Sequence, residues 1–246
     1  MKRAMKRIAA AGCRAGFCAA LLAGAAPAAQ ADEVAVDVGH GLRDQGAISA
    51  RGKSEYRFND RLARRLADEL ATRGLTVRRI NFDGRIESLP ARPQQAAGAD
   101  FFISIHHDSV QPHLLRDWQW QGAPQTYSDE HAGFALFVSH ANPDLPTSLL
   151  CASAIGARLR RLGFTPARHH ADPTARKPRQ PADTQNAVYY YDNLIVLYRT
   201  SVPALLFEAG VIKNRAEELL LEDAAYQRRM VDAMATGIAA CLFAGT

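Results

Sequence analysis

Two stretches, VAVDVGHG at Val34–Gly41 and FFISIHHD at Phe101–Asp108, decide the reading of this chain. Each is a short apolar run that stops at a histidine. Strands buried on both faces of a parallel sheet read as such continuous runs. Open α/β sheets build their sites just beyond the carboxyl ends of these strands. His40 and His106 are therefore expected side by side at one sheet edge. One added carboxylate would make a two-histidine, one-glutamate zinc site, a donor set that keeps one coordination position open for water.

The surrounding chain supplies the rest of such a sheet. In Glu55–Arg73, Phe58, Leu62, Leu66 and Leu70 recur at i, i+4 spacing with Ala63 and Ala67 beside them, and Gly74 follows as a helix-ending residue does. This predicts a helix, and Leu75–Ile80 reads as the next strand, giving a βαβ unit. Arg92–Gly98 reads as a short helix or turn ahead of the strand Phe101–Ile105. Phe134–Ser139 and Pro203–Phe207 (PALLF) are further strands. Ser148–Leu162 is helical through Leu149, Ala152, Ile155 and Leu159, and Ala216–Leu220 and Ala224–Phe243 are closing helices. Pro112–Gly133, with Trp118, Trp120 and Tyr127, reads as irregular. Ala167–Asn186 is polar, basic and proline-rich and reads as a loop. Strands alternating with helices, without repeats or a second hydrophobic unit, predict a single α/β domain with a mainly parallel sheet.

The amino terminus reads differently. Met1–Arg14 carries Lys2, Arg3, Lys6, Arg7 and Arg14 and no acid; Ala15–Ala26 is apolar but too short to span a bilayer; Ala29-Gln30-Ala31 is an A-x-A site. Residues 1–31 are expected to be a cleaved signal peptide, leaving 32–246 as the mature domain, with no stable membrane span. Of the 30 Lys and Arg residues in the chain, five lie in this leader, so 25 remain from Asp32 onward against 25 Asp and Glu. The mature chain is neutral, and the basic pI is no argument for a nucleic-acid partner. Export points to the periplasm or cell surface. There Cys151 and Cys241 can pair, or stand as two small buried residues; the sequence leaves both open.

Four residues carry the expected chemistry: His40, Glu55, His106 and Glu208. Glu55 opens the first helix near the sheet edge of His40, and Glu208 ends the PALLF strand. Taken singly, each has an ordinary reading. A histidine after a strand is commonly a loop or capping residue, Glu55 suits a helix N-terminal dipole, and Glu208 suits an ion pair. Taken together they describe a metal ion on two imidazoles and a carboxylate, with a second carboxylate to move protons.

The same residues fall in a known order. Asp37-Val38-Gly39-His40-Gly41 is followed by Gly46-Ala47, Glu55, Asn59, then Leu89, Arg92 and Ala96; Ser104-Ile105-His106-His107-Asp108 stands where a family motif reads S-I-H-A-N; and VLYRTSVPALLFEAGVIKN runs from Val196 to Asn214. In this the chain resembles the zinc-dependent N-acetylmuramoyl-L-alanine amidases of the type-3 amidase family. The resemblance implies a twisted sheet of about six strands flanked by helices, and Zn2+ on His40, Glu55 and His106. It implies Glu208 as catalytic acid/base, and as substrate the peptidoglycan amide between N-acetylmuramic acid and L-Ala of the stem peptide. It also allows an activator protein as partner.

The chain departs from the family pattern at Val38, Leu42, Asn81 and His107. His107 can be a substrate contact, proton carrier or alternative ligand, but neighbours on an extended chain face opposite sides, so it is expected to point away from the site. Asp108 and Arg199 are further candidates for contacts to substrate or to the ligands. His169-His170 can suggest a metal site but in a proline-rich basic loop reads more readily as a solvated pair, and Trp118 and Trp120 read as packing residues more readily than a glycan platform. Two other functions share these residues. One is a zinc carboxypeptidase-like peptidase on stem peptides, for which Arg199 would be the carboxylate clamp. The other is a catalytically silent wall-binding or regulatory protein of the same fold.

Overall fold

In the computed structural model, residues 32–174 and 177–244 are described. The leader expected over residues 1–31 lies outside them. Along the chain run β1 (Glu33–Val38), α1 (Glu55–Thr72), β2 (Thr76–Ile80), α2 (Ala91–Gln95), β3 (Phe101–Asp108), β4 (Arg116–Trp120), β5 (Ala123–Tyr127) and β6 (Ala135–Val138). They are followed by α3 (Leu145–Arg161), β7 (Pro181–Asp183), β8 (Val188–Tyr190), α4 (Ile195–Tyr198), β9 (Ala204–Val211), α5 (Arg215–Glu222) and α6 (Ala224–Ala244).

The apolar runs that end at His40 and His106 are the central strands β1 and β3. A seven-stranded sheet has the order β2-β1-β3-β9-β6-β8-β7. β2, β1, β3 and β9 are mutually parallel, β6 runs antiparallel to β9, and β7 antiparallel to β8. The sheet of about six strands that the resemblance implies is present with seven, of which β7 and β8 are only three residues each. Val34, Val36, Phe101, Ile103, Leu205 and Phe207 are fully inaccessible. Ala35, Phe102 and Ala204, which face the other side of the sheet, are equally inaccessible, which is why each of these strands carries a continuous apolar run and not an alternating one.

The helices cover the sheet with the faces their spacing predicts. In α1 the residues Phe58, Leu62, Leu66 and Leu70 are buried, each worth about 1.5–3 kcal/mol in water-exclusion terms. α3 and α6 pack closely because Gly237 has no side chain: a Cβ there would lie 2.6 Å from Ile155 Cα. Cys151 on α3 and Cys241 on α6 are joined by a disulfide. Among the described residues no helix is long and apolar enough to cross a membrane.

The segment Pro112–Gly133, read as irregular, contains a separate two-stranded hairpin of β4 and β5. Its turn is Gln121-Gly122, both with positive φ (52° and 80°), the backbone that a two-residue hairpin turn needs. Trp118 donates from Nε1 to Ala50 O at 2.9 Å. Arg51 lies 4.8 Å over Trp120, and Arg215 lies 3.8 Å over Tyr127. The two tryptophans are thus packing residues that fasten the hairpin to the domain.

Candidate active site

β1 delivers His40 through a turn that is held from outside. His40 has φ 61°, a left-handed backbone that costs a side-chain-bearing residue about 1–2 kcal/mol. The buried Asn81 and Arg92 offset that cost. Asn81 Nδ2 donates to Val38 O at 2.8 Å and to His40 O at 2.6 Å. Arg92 donates to Val38 O at 2.6 Å and also to His40 O. Below the turn, Asp37 accepts from Ser104 Oγ at 2.7 Å and sits 3.5 Å from Arg92. Burial pushes its carboxyl up, and Arg92 works against that shift. Val38 is a fully buried strand residue and Leu42 is exposed, so neither departure displaces His40.

Glu55, the first residue of α1, is the hub of the cluster. Its Oε2 lies 3.1 Å from His40 Nε2 and its Oε1 lies 3.0 Å from His106 Nδ1. Ala47 N donates to Oε2 at 3.1 Å, and Asn59 Nδ2 to Oε1 at 3.3 Å, fixing the carboxylate plane. Burial works to raise Glu55, but the two imidazoles outweigh it and hold the carboxyl far below its ordinary range. Burial likewise works to lower His40, and Glu55, helped by Asp44, outweighs it and raises the imidazole. Gly39 leaves room for the His106 ring, since a Cβ there would come within 2.3 Å of Nε2.

His40, Glu55 and His106 each offer one donor atom, and the three lie within 4.8 Å of one another. Zinc bonds of about 2.0–2.1 Å give a tetrahedral edge of about 3.3 Å. The 3.0 and 3.1 Å spacings, one from each Glu55 oxygen, lie near that edge. The side chains of His40 and His106 are 25% and 17% exposed, so the centre opens to solvent.

Glu208 stands opposite His106 as its register partner across β3 and β9. Its Oε2 is inaccessible and has no hydrogen-bond partner. Burial first, then the neighbouring Asp108 and Glu55 carboxylates, push its carboxyl well above the ordinary value. Glu208 and Asp108 line a cleft of about 460 Å³.

The remaining candidates separate cleanly. His107 turns away, as the extended backbone requires: it is 2% exposed, and its Nδ1 lies 2.8 Å from Asn59 Oδ1. Because Asn59 Nδ2 donates to Gly39 O and Glu55, its Oδ1 is left to accept from His107. Burial pushes the His107 imidazole down to about 3. Arg199 lies just past α4, exposed, with its guanidinium 5.7 Å over the Tyr198 ring. It precedes the amino end of β9, whereas Glu208 lies four residues into that strand, about 13 Å further along it. Asp108 faces His169 and His170 at 2.9 and 3.1 Å. That pair was expected to be solvated, but its side chains are only 13% and 14% exposed. Sequence reasoning missed Asn81 as a support of His40, and its only local sign is a polar residue ending a strand.

A model of N-acetylmuramoyl-L-alanine amidases matches residues 34–240. The probable cell wall amidase LytH of Staphylococcus aureus is 26% identical over 211 residues, covering 85% of this chain and 58% of LytH. This chain therefore spans less than two thirds of that relative. An N-acetylmuramoyl-L-alanine amidase from Clostridium difficile 630 superposes with a TM-score of 0.67 at 19% identity, covering 88% of this chain and 99% of that one. The CwlD amidase from Clostridioides difficile, solved in complex with the GerS lipoprotein, gives 0.61 at 20% identity, covering 87% and 99%. These two likenesses concern the fold. The matched stretch runs from β1 into α6 and takes in His40, Glu55, His106 and Glu208, and on it this chain belongs to the N-acetylmuramoyl-L-alanine amidase family.

Proposed function

We propose that this protein is an exported, zinc-dependent peptidoglycan hydrolase that cleaves the amide between the lactyl group of N-acetylmuramic acid and L-Ala of the stem peptide. The observation that carries the reading is the placement of a partnerless carboxyl, Glu208, directly across from a ligand of the His40–Glu55–His106 cluster. Zinc held by those three residues would lower the pKa of a water toward ~7 and polarise the scissile carbonyl. Glu208 accepts the proton of the attacking water and returns it to the departing amine nitrogen as the C–N bond breaks. Its raised pKa suits it to carry that proton. Asn81 and Arg92 keep His40 aimed, and Asn59 with Ala47 keeps Glu55 aimed.

Residues 1–31 direct export, and the enzyme works in the periplasm or at the cell surface. The solved pairing of CwlD with a lipoprotein supports an activator protein as a partner here too. The carboxypeptidase-like alternative is not favoured, because Arg199 lies at the amino-end edge of the sheet, away from the site. Digestion of purified sacculi with and without chelator tests the proposal. Mass spectrometry should find stem peptides with free L-Ala amino termini and glycan carrying free lactyl carboxyls. Release of terminal D-Ala instead would establish a peptidase. Metal binding without any chelator-sensitive product, with an activator lipoprotein supplied, would establish a silent wall protein.

A further inference from the structure

A second group of two imidazoles and a carboxylate stands on the wall of the cleft that Glu208 lines. Asp108 closes β3 two residues beyond His106, and His169 and His170 lie in one 3-10 turn, His169–Ala171. The loop is pinned to the sheet just before that turn: Ala167 N donates to Phe134 O at 2.8 Å, and Tyr189 Oη donates to Ala167 O at 2.6 Å. Both rings are fixed by packing. His169 stacks on His131 at 4.5 Å, and His170 meets the Phe137 ring edge-on at 4.9 Å.

The two Nε2 atoms converge on the same oxygen, Asp108 Oδ2, at 2.9 and 3.1 Å. The three donor atoms lie within 4.8 Å of one another. A plain hydrogen-bonded triad accounts for only part of this. His170 Nε2 is buried and makes no hydrogen bond of acceptable geometry despite its proximity to the carboxylate. The two spacings to Asp108 Oδ2 lie near a tetrahedral edge of about 3.3 Å, and imidazole with carboxylate is the donor chemistry of zinc-class divalent cations. Three protein ligands leave a coordination position open, and the group faces the cleft that Glu208 also lines.

We propose that Asp108, His169 and His170 form a second divalent-cation site of the zinc class, separate from His40–Glu55–His106 and on the cleft wall beside Glu208. This goes beyond the proposed function and does not need it, because binding at the second site can be counted without turnover.

The test is a metal count. The full chain is stripped with chelator, saturated with zinc, cleared of loosely held ions by a weak competing chelator, and measured by mass spectrometry for zinc per chain. A cobalt(II) titration followed by its visible absorption supplies an independent readout. Wild type should bind two equivalents, and His169→Ala/His170→Ala and His40→Ala/His106→Ala should each bind one. Asp108→Asn, which keeps the side-chain shape, replaces the first double variant if circular dichroism shows that the double variant does not fold. One equivalent in wild type that survives His169→Ala/His170→Ala overturns the second site and leaves the first standing. One equivalent that survives His40→Ala/His106→Ala and is lost with His169 and His170 supports the second site and overturns the metal centre of the proposed function.

Discussion

Glu208 and His106 are register partners on adjacent parallel strands, at the point where β3 and β9 reach the active edge of the sheet. Adjacent strands run about 4.8 Å apart and register partners share a face. The proposed acid/base and one proposed metal ligand are therefore held at a fixed spacing by backbone hydrogen bonds and not by a loop.

Glu208→Gln keeps the side chain's size and removes its ability to carry a proton. Turnover on sacculi should fall by about 10²–10⁴-fold, with zinc content unchanged. Full activity in this variant would remove Glu208 from the mechanism.

Asn81 bonds none of the proposed ligand side chains: its Nδ2 donates to the carbonyls of Val38 and His40, and its Oδ1 accepts from Ile86 N. Asn81→Ala should weaken zinc binding by about 10–100-fold, as loss of a ligand-orienting contact does. It should also cost about 1–3 kcal/mol of stability, because Ile86 N loses Asn81 Oδ1, its acceptor at 2.9 Å. An unchanged zinc affinity in a destabilised variant would mean that Arg92 alone holds the turn.

His107 makes stability pH-dependent. Its imidazole titrates near 3 when folded and near ~6.5 when unfolded. Between these values the unfolded chain binds the proton first. Stability of the metal-free protein should therefore fall as pH drops below about 6.5, by at most ~1.4 kcal/mol per pH unit, and level off once both states are protonated. Urea unfolding at about pH 7 and about pH 5 reads this slope. His107→Asn retains a donor for Asn59 and cannot titrate, so its slope should be shallower; equal slopes would contradict a buried neutral imidazole.

The Cys151–Cys241 disulfide spans 90 residues of sequence and ties α3 to α6. The chain-entropy account gives a ceiling of about 4–5 kcal/mol for such a loop, with ~2–4 kcal/mol usual. Cys151→Ala/Cys241→Ala should lose that amount in urea unfolding. Reductant should destabilise wild type similarly and leave the double variant unaffected.

Much of this molecule is written locally. The apolar runs at β1, β3 and β9 mark buried parallel strands because both their faces are covered, and the spacing of Phe58, Leu62, Leu66 and Leu70 marks α1 because one face is. The β4–β5 hairpin escapes that reading although its Gln121-Gly122 turn is local. Its aromatic residues pair with Arg51 and Arg215 from distant segments, so the apolar alternation of a core strand is missing.

Local pattern in the chain is enough for the α/β order, the edge at which His40, Glu55, His106 and Glu208 meet, and the turn of His107 away from that cluster. Period, strand ends and alternation are properties of neighbouring residues. Only the tertiary structure decided what holds His40 in its left-handed turn, whether the cysteines join, where Arg199 lies, and that His169 and His170 fold in upon Asp108. Those facts depend on contacts between residues far apart in the chain, His169 and Asp108 being separated by 61 positions, and no local pattern records which distant partner a side chain will meet.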